Sequence, residues 1–96
     1  MDTEALYAPY RDERTRIFNE RISNDPIYPF AGMRIPMLRK LAKDLDPDTI
    51  EIRFHEDVTL RGLAIASMKA PLAVKLEKLD ELLPLITAWD HTDVIA

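Results

Sequence analysis

The chain has 96 residues, 47% of them hydrophobic and 31% charged, with no cysteine. That is one domain with material for a core, and it excludes an intrinsically disordered chain, a disulfide framework, a zinc–thiolate centre and a cysteine nucleophile. Thirteen basic against 17 acidic residues give a net charge of −4, which argues against a chain that is basic throughout, although phosphate affinity is set by local patches.

Two glycines against seven prolines disfavour a hairpin-rich β protein, because tight hairpin turns need positive-φ residues. The chain reads instead as helices punctuated by prolines. Thr3-Glu4-Ala5-Leu6-Tyr7 opens a short helical turn that Pro9 interrupts. Tyr10, Ile17, Phe18 and Ile22 then recur at helical spacing, with RDERTR and NER on the wet face. Ser23-Asn24-Asp25-Pro26 ends that helix. Ile27 to Ile35, pinned by Pro26, Pro29 and Pro36, reads as an ordered loop anchored by Tyr28 and Phe30.

Pro36 suits the first turn of a helix over about Pro36–Leu45, with Met37, Leu38, Leu41, Ala42 and Leu45 inward and Arg39, Lys40 and Lys43 outward. Asp46-Pro47-Asp48 combines a stop with a new cap, and a short helix carrying Ile50 and Phe54 is expected to follow. Glu56 and Asp57 suit the N-terminal dipole of a helix through Leu60, Leu63, Ala64 and Ser67, with His55 beside its cap. After Ala70-Pro71, Leu72, Leu76, Leu79, Leu83 and Ile86 follow at spacings of 4, 3, 4 and 3, and this stripe is expected to be core. Pro84 is expected to bend or shorten its last turn. Asp90-His91-Thr92-Asp93 resembles a helix start, and Val94-Ile95-Ala96 then ends the chain within one turn. The sequence therefore reads as cut, with more chain expected after Ala96.

Short helices with proline-marked starts point to an all-α fold, a HEAT-type α-solenoid of antiparallel helix pairs, incomplete and forming a single domain over residues 1–96. Periodicity alone leaves a generic helical bundle open. No apolar run approaches the roughly 20 residues of a membrane span, and MDTEALYAPYRDERTR has no signal-peptide core. A cytoplasmic location is the resulting expectation.

Three segments carry a resemblance. Gly32-Met33-Arg34-Ile35-Pro36, continued by Arg39-Lys40-Leu41-Ala42-Lys43, is similar to a signature of the DNA alkylation repair family, the AlkD-like DNA glycosylases. Leu60-Arg61-Gly62-Leu63-Ala64-Ile65 resembles the family's next signature, and Leu79 to Ile86 followed by Trp89-Asp90 and Asp93 resembles a third. They occur in the family's order over about residues 10–96. Family members are more than twice this length, so the resemblance is to their N-terminal half; an arginine and a second tryptophan of the family's site lie beyond the matched region.

The resemblance implies a HEAT-like solenoid whose concave cationic surface holds duplex DNA, the lesion staying within the duplex. It implies hydrolysis of the N-glycosidic bond of N3- or N7-alkylated purines, without metal or cofactor. Asp93 matches the catalytic carboxylate and Trp89 the tryptophan that packs against the lesion's deoxyribose. A cationic alkylpurine leaves readily, so an anion that stabilises the sugar as it becomes oxocarbenium-like contributes more than a strong acid. By spacing alone Asp93 completes a capping box with Asp90, and Trp89 fills a helix junction; His91 reads as a surface residue.

Arg34, Arg39, Lys40 and Lys43 are the candidate phosphate contacts, against the alternative of a solvated helix face. Two further readings stand beside the enzyme. One is a non-catalytic HEAT-like module that binds DNA or protein. The other is an inactive fragment whose uncovered helix faces self-associate.

Overall fold

A computed structural model describes residues 2–22 and 27–85. These residues are all-α, with five α-helices and no strand among them. Helix α1 (Thr3–Tyr7) starts where Asp2 accepts the Glu4 N–H at 3.0 Å, and it runs into a 3₁₀ turn over Ala8–Tyr10 that contains Pro9. Helix α2 (Glu13–Ile22) starts beside Asp12, whose carboxylate accepts from the Arg14 N–H and the Thr15 hydroxyl at 3.1 and 2.8 Å. Helix α3 spans Ile35–Ala42, with Pro36 in its first turn as expected.

Helix α4 (His55–Ser67) and helix α5 (Leu72–Leu82) complete the set, and α5 ends in a 3₁₀ turn over Leu83–Leu85 that contains Pro84. Asp46 caps a single 3₁₀ turn over Pro47–Thr49 through the Asp48 N–H. No helix forms over Ile50–Phe54, which corrects the expectation for that stretch. Ile50 is buried in the core, and the Arg53 and Phe54 N–H groups bond to Asp57 instead of to a preceding turn. Helix α3 also stops at Ala42, three residues short of the expected end.

Helix α4 is the centre. It packs against α3 on one side and α5 on the other, and nine of its residues are buried. Leu60 and Ala64 join Leu38 and Ala42 of α3 with Tyr7, Met33 and Ile50 in one cluster, whereas Val58 and Ile65 meet Leu82 of α5 in a second. Gly62 of α4 is also buried.

Of the two apolar stripes expected on α2 and α5, only Leu79 packs against the core, and Ile86 lies outside the described residues. On α2, Ile17 is exposed together with Phe18 (60%) and Ile22 (67%), and the helix buries none of its residues. On α5, Leu72 (70%), Leu76 and Leu83 (59%) face outward. The inward stripe of α5 is Lys75, Lys78, Leu79 and Leu82, about one residue's rotation away. Lys75 Nζ reaches the Ala66 carbonyl at 3.0 Å and Lys78 Nζ reaches Asp48 at 2.7 Å. Their aliphatic stems line the α4 side while the ammonium heads find oxygen partners at the rim. Apolar residues lie on more than one side of α5, between charged ones, so spacing alone could not decide which part turns in.

Candidate functional site

Residues Phe30 to Arg34 cross the start of α4 and are fixed there by one carboxylate. Glu56, 3% exposed, accepts from the backbone N–H groups of Ala31 (2.9 Å), Gly32 (2.7 Å) and Met33 (2.9 Å). Three successive amides converging on one anion form a nest. Gly32 permits it by its φ of +88°, a region that side chains disfavour. Its carbonyl accepts the Asp12 N–H at 2.9 Å, so the same loop anchors the start of α2.

Asp57, the next residue, turns the other way. Its carboxylate accepts from the Tyr7 hydroxyl at 2.7 Å and from the Arg53 and Phe54 N–H groups at 2.8 Å each. Burial, then the Asp57 charge, its hydrogen bond and the Glu56 charge push the Tyr7 phenol far above its ordinary range. Glu56 and Asp57 were expected to serve the helix dipole. They do lie in the first turn, but their larger work is to bind the loop and α1 to α4. His55 is more than a cap neighbour: it is the first residue of α4, is buried and stacks on Phe30 with ring centroids 4.1 Å apart. Phe30 is thus a loop anchor, as expected.

Beside the nest lies an open groove of about 460 Å³ between α2, the start of α3 and α4. Phe18, Ile22, Met33, Pro36 and Leu38 line it, with Glu56 at its base. Both Glu56 oxygens already accept amide protons, so this carboxylate holds the loop and is poorly placed to act as a base.

The cationic candidates divide into two groups. Arg39, Lys40 and Lys43 are exposed along one side of α3 with Pro36, opposite the buried Leu38 and Ala42. Among the described residues they form no ion pair. Arg34, also exposed, is tied back: its guanidinium meets Asp12 at 3.2 Å and the Thr15 hydroxyl at 3.4 Å. The Thr15 hydrogen bond first, and the Arg34 contact with it, lower the Asp12 pKa. Trp89, Asp90, His91 and Asp93 lie outside the described residues.

Among the described residues no three His, Asp or Glu side chains gather as metal ligands, and no helix is long and apolar enough to cross a membrane. Sequence reasoning missed the Glu56 nest. Its only local signal is the pair Glu56-Asp57 at a helix start, which ordinary dipole preference accounts for equally well. Comparison with family models, with curated proteins and with solved structures found no match for this chain.

Proposed function

We propose that this chain is an AlkD-like module of a HEAT-like solenoid that grips duplex DNA by its phosphates and serves the release of N3- or N7-alkylated purines. In this reading Asp93 supplies the carboxylate that stabilises the oxocarbenium-like sugar, and Trp89 packs beside the deoxyribose. The observation that carries it is the outward face of α3. Arg39, Lys40 and Lys43 stand there in solvent with no acidic partner among the described residues, at the positions of the resembling motif. Such a row can replace phosphate counterions even in a chain of net charge −4. Arg34 would join it by exchanging Asp12 for a phosphate.

The test has two arms. Binding to a fluorescent duplex is measured between about 50 and 200 mM salt, where each neutralised phosphate contributes roughly 0.9 to the log–log slope. Replacing Arg39, Lys40 and Lys43 by alanine is expected to lower that slope by about 2–3. Release of alkylpurine from alkylated duplex is measured in parallel, with Asp93→Asn expected to abolish release and spare binding. Absence of binding at the lowest salt sinks the DNA reading. Binding without release by the unaltered chain leaves a non-catalytic module. The exposed apolar faces of α2 and α5 favour a second reading, a protein-binding helical scaffold, and a duplex that is not bound at the lowest salt favours it.

A further inference from the structure

The outward faces of α2 and α5 are complementary, and each is made so by ion pairs or hydrogen bonds that draw the opposite charge aside. On α2, Arg16 bridges Glu13 and Glu20, the latter at 2.7 Å. That uses the helix's two acids on one side. Arg14, Ile17, Phe18 and Arg21, at i, i+3, i+4 and i+7, form another side, and all four are exposed. Neither Arg14 nor Arg21 has an ion partner among the described residues. On α5, the two lysines are the groups withdrawn, Lys75 to the Ala66 carbonyl and Lys78 to Asp48. What remains outward is Leu72, Leu76 and Leu83 with Glu77 and Asp80 alongside. Neither of these two acids has an ion partner among the described residues. One helix therefore presents an apolar strip with cations at its ends, and the other a leucine strip with anions on its flank.

We infer that a second copy of this chain covers these faces, with α2 of one copy seated on α5 of the next. The occupant follows from charge. A pairing of α5 with α5 would bring like acidic flanks together, and a pairing of α2 with α2 would bring arginines together, whereas α2 on α5 sets Arg14 and Arg21 against Glu77 and Asp80. A single such contact leaves the first copy's α5 face and the second copy's α2 face unused, so assembly continues as a chain or ring, whereas two reciprocal contacts close a two-fold dimer. Helices of ten and eleven residues make a contact at the small end of specific interfaces, so association is expected at about 0.01–1 mM. Added salt weakens it. The inference is independent of any DNA binding.

The test measures mass against concentration by sedimentation or light scattering. The unaltered chain is expected to rise from its 11.1 kDa monomer mass to the mass of two chains for reciprocal contacts, or beyond it for head-to-tail ones. Phe18→Asp spoils the α2 face and Leu76→Asp the α5 face, both at exposed positions. Each variant alone is expected to stay monomeric, and an equimolar mixture is expected to stop at two chains, because one intact α2 face meets one intact α5 face. Arg14→Glu with Arg21→Glu, and Glu77→Lys with Asp80→Lys, repeat the two single-face blocks should either aspartate variant lose its helical circular dichroism. An unaltered chain that remains monomeric to about 1 mM overturns the proposal. So does a Phe18→Asp chain that dimerises by itself, since that outcome means α5 pairs with α5.

Discussion

Removing the Glu56 carboxylate tests whether the loop before α3 is held by one anion. In Glu56→Ala the three N–H groups of Ala31, Gly32 and Met33 lose an acceptor that now sits at 2.7–2.9 Å. Each unsatisfied buried donor costs about 1–3 kcal/mol, and bonds to a charged acceptor lie at the upper end. Water entering from the adjoining groove would satisfy part of this, so a loss of about 3–5 kcal/mol is expected. A 96-residue domain holds only about 5–14 kcal/mol in total, so the variant would stand near the edge of folding. Glu56→Gln keeps the shape, loses the charge and turns an N–H₂ group toward at least one donor, for a loss of about 2–4 kcal/mol. Urea unfolding followed by far-ultraviolet circular dichroism reads both, the expected signature being a lower midpoint at an unchanged slope. A Glu56→Gln chain within about 0.5 kcal/mol of the unaltered one would refute the reasoning, because that is the range of ordinary surface substitutions.

Two further expectations concern the same scaffold. In Gly32→Ala the new Cβ would lie 2.5 Å from the Asp12 carbonyl oxygen, a backbone atom, at a φ of +88°; a loss of about 2–4 kcal/mol is expected, and an unchanged melting temperature would contradict the close approach. Tyr7→Phe tests the phenol buried on Asp57. Its folded pKa is raised, so the stability it confers is complete below the unfolded value near 10 and declines as pH rises above it, by about 1.4 kcal/mol per pH unit. The stability gap between the unaltered chain and Tyr7→Phe should therefore shrink from pH 9.5 to 11, and a gap constant over that window would show that the phenol ionises freely.

What the sequence by itself determined is local. Asp46, Pro36 and Pro71 mark element starts because a capping side chain or a proline ring acts within three or four residues. Phe30 could be read as a loop anchor from its place among prolines, and the cationic side of α3 from the spacing of Arg39, Lys40 and Lys43 against Leu38 and Ala42. The expected catalytic pair, Trp89 and Asp93, falls outside the described residues, so its reading rests on resemblance.

What only the tertiary structure decided is which surface each helix turns inward and what its first-turn acids bind. Glu56 meets amides 23–25 positions earlier and Asp57 a hydroxyl 50 positions earlier, separations to which no local pattern is sensitive. Helix α5 could have buried its leucines at 72, 76 and 83. It buries Leu82 against Val58 and Ile65, and the two lysines on the α4 side each reach an oxygen with the ammonium group. Amphipathic spacing specifies that a helix has an apolar side, but the partners available across the interface choose the rotation.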